Sequence, residues 1–162
     1  MSKVFFIADT HFGDNDVFLM SGEEMFFDSV TEKDEEIIEN WNATVRSEDI
    51  VFILGDFGEL SYMERLNGQK FLIKGNHDNV SKCDSFYPIV YKDFFILSHE
   101  PMWVDENSPY ANIFGHVHNN PIYKTVSPRS YCVCACRQNY TPISYKDILE
   151  AIEEEDKKYG TI

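Results

Sequence analysis

Short apolar runs in the first half of the chain predict strands that are buried on both faces. Such runs are too short for a typical helix, and they lack the polar alternation of a strand with one wet face. The predicted strands cover residues 4–8, 50–54 and 70–73. Polar residues or glycines follow each run at once: Asp9, then Gly55 with Asp56, then Gly75 with Asn76 after Lys74. The carboxyl ends of these strands are therefore polar.

A helical period of apolar side chains lies between the first two strands. It is formed by Ile37, Ile38, Trp41 and Val45. These side chains would form one stripe on a helix, which we predict over residues 31–46. Thr31 and Asp34 have the spacing of an N-terminal capping box for this helix. The succession of strand, helix, strand, short helix and strand is typical of parallel strands with crossover helices.

The second half of the chain has a different pattern, with little helix between its apolar segments. Short strands are predicted at residues 88–90, 94–97, 111–114 and 131–135. This spacing indicates a second sheet, mixed or antiparallel. A last helix is predicted over residues 144–158, with Ser144 and Asp147 as its cap. The whole pattern predicts an α/β fold of two facing sheets with helices outside.

Length and charge narrow the possibilities further. A chain of 162 residues with 43% hydrophobic residues forms one core, so we expect a single domain over residues 1–162. The formal net charge of −14 disfavours nucleic acid and anionic membranes as partners, and we expect a small substrate. No membrane span or signal peptide is recognisable, which makes the cytoplasm the expected location. The oligomeric state stays open.

The cysteines predict no metal site. Cys132, Cys134 and Cys136 are two positions apart, which would put all three on one face of a strand, and Cys83 stands alone. A structural zinc site needs pairs of the form Cys-x-x-Cys, which this spacing does not provide. We therefore expect reduced cysteines that pack as small apolar side chains.

The histidines carry the strongest chemical signal. All five lie just after apolar segments and beside Asp, Asn, Ser or Gly: His11, His77, His99, His116 and His118. Asp9 and His11 are two positions apart, as are His116 and His118, so each pair points to one side of an extended segment. Asp56 follows a glycine at a strand end, where the chain can turn toward a crevice. One histidine alone would be unremarkable, but five together indicate a site.

Five short blocks in order extend this signal. They are Asp9-Thr10-His11, Gly55-Asp56, Gly75-Asn76-His77-Asp78, Ser98-His99-Glu100-Pro101 and Gly115-His116-Val117-His118. In this order they resemble the calcineurin-like metallophosphoesterase family. The short bacterial and phage members are most similar, since they also read Asp-Thr-His-Phe-Gly, Asn-Trp-Asn and Leu-Gly-Asp-Phe. The resemblance implies a four-layer α-β-β-α sandwich of two facing mixed sheets with outer helices.

The resemblance also implies a ligand set for two divalent transition-metal ions. Asp9, His11, Asp56 and His118 would hold one ion, and Asp56, Asn76, His99 and His116 would hold the other. Asp56 would bridge the two ions, which such carboxylates hold roughly 3.5–4 Å apart. Manganese is the metal we expect first, and iron, zinc, cobalt and nickel also suit imidazole and carboxylate.

The implied reaction is hydrolysis of a phosphomonoester or phosphodiester of a small molecule or nucleotide. A metal-bridging hydroxide would attack phosphorus, and His77 would protonate the leaving oxygen as general acid. Asp78 would orient His77 or raise its charge. Asn76 and His77 would also contact the substrate. Arg137, in the loop after the last predicted strand, is a further candidate for binding the phosphate.

Other interpretations remain beside this one. No arginine follows Asp56, although relatives that dephosphorylate proteins carry one there to bind phosphate in a bidentate way. Asp14 stands where the short members commonly have histidine. A non-catalytic metal-binding scaffold of the same fold is the main alternative, and a repair nuclease is disfavoured by the charge. Residues 14–28, rich in large apolar side chains, form either a substrate lid or a segment that packs on the core.

Overall fold

A computed structural model describes residues 2–79, 86–92, 94–105, 107–123 and 129–159 of the chain. The strands are β1 Val4–Ile7, β2 Ile50–Leu54, β3 Gln69–Ile73, β4 Ile89–Tyr91, β5 Phe95–Leu97, β6 Ala111–Phe114, β7 Ser130–Cys132 and β8 Ile143–Ser144. The α-helices are α1 Asn15–Met20, α2 Val30–Thr44 and α3 Tyr145–Tyr159. Short 3-10 helices lie at Glu23–Met25, Leu60–Arg65, Pro121–Tyr123 and Ala135–Arg137.

The strands form two mixed sheets of four strands each. The first has the order β3-β2-β1-β8, in which β1 to β3 are parallel and β8 runs antiparallel to β1. The second has the order β4-β5-β6-β7, in which β5 to β7 are parallel and β4 is antiparallel to β5. The predicted α/β fold with two mixed sheets is confirmed.

Both faces of the first sheet are buried, which explains its apolar strands. Phe5 and Ile7 of β1 pack on the side of α2, with Trp41 in the same cluster. Phe6 and Ala8 point the other way, into the cluster that also contains side chains of β5 and β6. Alternate side chains therefore serve two different cores, and neither face of the strand tolerates a polar residue.

The two outer sides of the sandwich are covered differently. α2 packs against the first sheet, as expected of an outer helix. On the outer face of the second sheet, the Asn112 side chain accepts a hydrogen bond from Met102 N (2.7 Å), where the segment after β5 crosses it. α3 contributes Ile148 and Ile152 to the core between the sheets, next to β1 and β7. The expected sandwich therefore has α3 at the margin of its central core.

The N-terminus of α2 differs from the predicted capping box. Ser29 is the N-cap, and its hydroxyl accepts from Glu32 N (3.2 Å), while the Glu32 carboxylate accepts from Asp28 N (2.6 Å). The pairing of Thr31 with Asp34 was wrong because the helix begins at Val30, so Thr31 is already inside it and cannot be the N-cap. The buried carboxylate of Asp34 accepts instead from Gly13 N (2.9 Å) in the loop after β1.

The predicted strand over residues 131–135 is also too long. The chain leaves the second sheet after Cys132 and crosses to the first, where Ala8 N donates to Val133 O (2.9 Å) and Ala135 N donates to Ala8 O (2.8 Å). Val133 N still donates to Phe114 O (2.8 Å) in the second sheet. This crossing ties the ends of both sheets together beside Asp9.

Three of the cysteines confirm the expectation of free thiols in apolar surroundings. Cys132, Cys134 and Cys136 are unpaired and pack with Phe114 and Val117. The Cys132 thiol donates a hydrogen bond to Cys134 Sγ over 3.3 Å. They do not share a strand face, because Cys136 lies in a 3-10 helix. Cys83 is outside the described residues. Among those residues, no helix has the length and apolar character needed to cross a membrane.

Candidate metal centre

The predicted ligands lie where strands end and the backbone turns sharply. Five of them have a positive φ: Asp9 (56°), His11 (42°), Asp56 (53°), His116 (70°) and His118 (44°). Residues other than glycine rarely occupy this left-handed region, and each instance costs roughly 1–3 kcal/mol. Such strain is concentrated at functional sites because the surrounding fold holds side chains where they are needed.

Two glycines allow the ligands to approach one another closely. A Cβ atom on Gly55, whose φ is 89°, would lie 2.2 Å from Nδ1 of His99. A Cβ atom on Gly75 would lie 2.2 Å from Oδ1 of Asp56. Real Cβ contacts are never this short, so any side chain at either position would displace a predicted ligand. Glycine in these blocks is therefore required by the site itself.

The first group of ligands consists of Asp9, His11 and His118. Their ligand atoms all lie within 4.8 Å of one another. Asp9 and His11 follow β1, whereas His118 comes from the loop after β6 in the other sheet. His118 Nε2 is 3.8 Å from Asp9 Oδ1, and the rings of His11 and His118 stack with their centroids 5.2 Å apart. Both sheets thus contribute to one cluster.

The second group consists of Asp56, His99 and His116, whose ligand atoms also lie within 4.8 Å of one another. Asn76 joins this group through its side-chain oxygen. Asn76 Oδ1 is 2.8 Å from His99 Nε2 and 3.0 Å from His116 Nδ1. The four residues predicted for the second ion are therefore gathered in one place.

The Asp56 carboxylate connects the two groups. Its Oδ2 atom is 3.7 Å from His11 Nε2 in the first group and 3.3 Å from His99 Nε2 in the second. All three side chains are buried, with side-chain exposures of 2% to 4%. The carboxylate that the resemblance assigned to both ions is thus the one that lies between the two groups.

Several buried atoms of the first group have no hydrogen-bond partner among the described residues. They are Asp9 Oδ1 and both ring nitrogens of His11. Buried polar atoms are nearly always hydrogen bonded, so these atoms need a partner of another kind. A divalent cation satisfies carboxylate oxygen and imidazole nitrogen together. Imidazole, carboxylate and amide oxygen suit manganese, iron, cobalt, nickel and zinc, and the residues therefore fit such ions.

Burial and mutual charge shift the pKa values of the ligands in opposite directions. Burial raises the pKa of Asp9 to about 7 and lowers the pKa values of His11 and His118 to about 4. Burial alone would lower the pKa of His99, but its hydrogen bond to Asp56 and the charges of Asp9 and Asp56 raise it to about 9. Near neutral pH His99 therefore carries a proton and Asp9 is about half protonated, and cations would replace these protons.

His77 is separate from both groups yet adjacent to them. Its backbone N–H donates to Asp56 Oδ1 (2.8 Å), which fixes the turn that carries it. Its exposed imidazole meets the His11 ring edge to face, with the centroids 5.3 Å apart. His77 and His11 both line a cavity of about 720 Å³ that opens beside the first group. The ring is thus accessible to a molecule bound at the centre.

Asp78 binds the backbone of the two neighbouring turns. Its Oδ2 accepts from Asp56 N (2.9 Å) and Gly75 N (2.8 Å), and its Oδ1 accepts from Phe57 N (3.0 Å). No hydrogen bond to the imidazole of His77 is found within the described ranges. Asp78 therefore holds together the two turns that carry Asp56 and Asn76, and its effect on His77 stays a prediction.

Arg137 is bound to the loop that carries His118. Its Nε donates to His118 O, and one terminal nitrogen donates to Asn120 O (2.9 Å). These bonds give the guanidinium a part in fixing the backbone of a ligand-bearing loop. Contact of Arg137 with substrate phosphate stays a prediction.

Lys33 is a residue of the site that sequence reasoning missed. It is only 1% exposed, and its Nζ donates to the carbonyls of Thr10 (3.0 Å) and His11 (3.2 Å). Nζ also lies 3.6 Å from a carboxylate oxygen of Asp34. A signal existed in the sequence, because Lys33 lies one helical turn before Ile37 on the apolar stripe of α2. A lysine on such a stripe indicates a buried cation.

Residues 14–28 combine anchored and exposed side chains. Asp14 caps α1 by accepting from Val17 N (3.0 Å), and Phe18 and Glu23 are buried. Four large apolar side chains are exposed: Leu19 (54%), Met20 (86%), Met25 (77%) and Phe26 (68%). Packing on the core therefore explains only part of this segment. A function as a substrate lid stays open.

Comparison with known proteins agrees with this geometry. Residues 2–151 match the calcineurin-like phosphoesterase family. An uncharacterized protein of Methanocaldococcus jannaschii is 31% identical over an alignment that covers 95% of this chain and 93% of that protein. The crystal structure of a protein of unknown function from Aquifex aeolicus shares the fold, with a TM-score of 0.67 and 24% identity, covering 93% of this chain and 100% of that one.

The two-sheet fold, the family match and the two groups of His and Asp ligands define a metal-dependent phosphoesterase domain. Divalent metals are the cofactors of such domains, and phosphate esters are their substrates. The chain belongs to the calcineurin-like phosphoesterase family.

Proposed function

We propose that this protein hydrolyses phosphomonoesters or phosphodiesters of small molecules or nucleotides at a centre of two divalent metal ions. The observation that supports this most directly is the carboxylate of Asp56, which lies 3.7 Å from His11 Nε2 and 3.3 Å from His99 Nε2. One carboxylate between two groups of imidazole ligands is the arrangement that a bridged pair of ions requires.

The proposed ligands follow the two groups. Asp9, His11, Asp56 and His118 hold the first ion, and Asp56, Asn76, His99 and His116 hold the second. Manganese is the metal we propose for both positions. When bound, the two ions supply Lewis-acid activation of water and of the phosphate ester at neutral pH. The chain provides the rigid turns that keep these side chains in place.

His77 is the proposed general acid. Its ring is exposed in the cavity beside the first group, and its backbone is tied to Asp56. An imidazolium in this position donates a proton to the leaving oxygen as the ester bond breaks. Asn76 and His77 are also the proposed contacts of the chain with the substrate phosphate.

Assays of the metal-stripped and manganese-reloaded protein test this function. The substrates are p-nitrophenyl phosphate and bis(p-nitrophenyl) phosphate, one monoester and one diester. We expect no turnover after complete chelation, recovery with manganese, and loss of turnover by a factor of at least about 10³ in Asp56→Asn, since the bridging carboxylate is removed.

A matched control keeps the interpretation clear. Glu153→Gln removes the same charge from an exposed position of α3 and should leave turnover unchanged. Turnover that survives chelation, or that Asp56→Asn retains in full, would contradict the two-ion mechanism. A protein that binds the ions but hydrolyses neither ester would instead be the non-catalytic scaffold.

A further inference from the structure

We propose, resting on the function proposed above, that the enzyme prefers phosphate esters whose leaving alcohol is cationic or neutral. Alcohols that carry a further negative charge are disfavoured. The preference arises in the cavity of about 720 Å³ beside His77, which we call the acidic cavity. It concerns the leaving group alone, because the phosphate itself is bound at the metal ligands.

The acidic cavity takes its name from its lining. Four carboxylates line it: Asp14, Asp16, Glu59 and Asp78. No lysine or arginine among the described lining residues offsets these carboxylates, so they produce a negative potential around the leaving alcohol, and the walls of the cleft concentrate that potential.

The leaving alcohol is directed to this cavity by two histidines. His11 lines it and is only 2% exposed, and both of its ring nitrogens lack a hydrogen-bond partner among the described residues. The cavity therefore opens onto the ligands of the first ion. His77, the proposed proton donor, lines the same cavity. Since the acid must reach the leaving oxygen, the alcohol attached to that oxygen lies there as well.

Two of the four carboxylates are available to act on the alcohol. Asp78 is engaged with backbone N–H groups, and Asp14 caps α1. Asp16 and Glu59 are exposed, and neither forms an ion pair with a described residue. The Glu59 carboxylate lies across Gly13, where an added Cβ would be 2.8 Å from its Cδ. Glu59 and Asp16 are therefore the specificity residues.

The cavity on the other side of the centre does not have an excess of carboxylates. It has a volume of about 480 Å³ and is lined by Asn76 and His99 of the second group. Lys74 and Glu100 give it one charge of each sign. Of these two cavities, only the one on the side of His77 has an excess of carboxylates. A charge preference should consequently follow the leaving group.

The expected size of the preference follows from Coulomb energies. A unit charge within several ångströms of two partly solvated carboxylates changes binding by about threefold to tenfold. Salt should reduce the preference, because the carboxylates are exposed and the Debye length is about 8 Å at physiological ionic strength. A contribution from shape alone would not depend on salt in this way.

A series of three alkyl phosphates tests the proposal. Phosphocholine, glycerol 3-phosphate and 3-phosphoglycerate have a cationic, a neutral and an anionic leaving alcohol. Each competes with whichever p-nitrophenyl ester the manganese-loaded protein hydrolyses, and its inhibition constant is measured at low and high salt. We expect the constant to rise by about threefold to tenfold at each step from cation to anion, and the series to flatten with salt.

Two double variants complete the test. In the double variant Glu59→Gln with Asp16→Asn, the inhibition constants of 3-phosphoglycerate and phosphocholine should differ by no more than about twofold. Glu153→Gln with Glu154→Gln removes the same charge from α3 and should leave the ratio as it is. A flat or reversed series in a protein that hydrolyses a p-nitrophenyl ester overturns this inference alone. Failure to hydrolyse either ester overturns the proposed function and the inference with it.

Discussion

Three charged side chains outside the proposed ligand set hold the backbone of the metal centre. They are Lys33, Asp78 and Arg137. Asp78 accepts from the N–H of Asp56, and Lys33 donates to the carbonyl of His11. These bonds act on residues with positive φ, where the backbone needs support from elsewhere in the fold. Because these side chains and not His77 support the ligands, a substitution of His77 should affect proton transfer without affecting metal binding.

His77→Ala should reduce turnover and leave the ions bound. Loss of a general acid typically lowers the rate by about 10²–10⁴, and the loss is larger for an alkyl leaving group, which needs a proton, than for p-nitrophenolate. The prediction is checked by measuring the turnover of an alkyl ester and of a p-nitrophenyl ester, and the metal content by elemental analysis. Equal losses for both leaving groups, or loss of the ions, would argue against the role of His77 as the acid.

Metal binding should release protons. At pH 7 the pKa of about 9 keeps His99 protonated, and the pKa of about 7 leaves Asp9 half protonated, while His11 and His118 are already neutral. Filling both positions should therefore release between about one and two protons, and affinity should rise with pH up to about 9. Calorimetry in buffers of different ionisation enthalpy measures the release, and heat that is independent of buffer would refute it.

At the scale of elements, strands were easier to predict than their ends. The apolar runs of β1 and β2 were recognisable because burial on both faces excludes polar residues locally. The end of β7 was not recognisable, since it depends on hydrogen bonds between Ala8 and residues 133 and 135, which are distant in the sequence. The cap of α2 was predicted two residues too late, because Ser29 with Glu32 has the same local spacing as Thr31 with Asp34 and is the pair that forms it.

The observed cap of α2 can be tested against the predicted one. Ser29→Ala should lower the free energy of unfolding by about 1 kcal/mol, because the N–H of Glu32 loses its acceptor. Thr31→Ala, at an exposed position inside the helix, should have little effect. Urea denaturation of both variants makes the comparison, and a larger loss in Thr31→Ala would restore the capping box predicted from sequence.

Lys33 joins α2 to the loop that carries two ligands of the first ion. Lys33→Met should lower the free energy of unfolding by about 3–5 kcal/mol, since buried carboxylates and the carbonyls of Thr10 and His11 lose their partner. Lys33→Met should also lower the affinity for the first ion more than the affinity for the second. Lys146→Met, at an exposed position of α3, is the control. Denaturation and metal titration check both effects, and equal behaviour of the two variants would contradict them.

For the molecule as a whole, the bound ions would offset only part of the negative charge of the chain. The net charge is −14, and two divalent ions would bring it to −10 (−14 + 4).

The ligand blocks were predictable because each is local in sequence. The role of Asp78 was not, because its acceptors bind N–H groups 21 and 22 positions earlier in the chain. The acidic cavity likewise exists only once segments from distant positions are assembled.

Titration of the metal-stripped protein with manganese tests the two-ion centre most directly. Bound ions and hydrolysis of a p-nitrophenyl ester are measured on the same samples. Because Asp56 lies between the two ligand groups, activity should stay low through the first equivalent and rise as the second binds. Full activity with one ion per chain, or with none, would contradict the account.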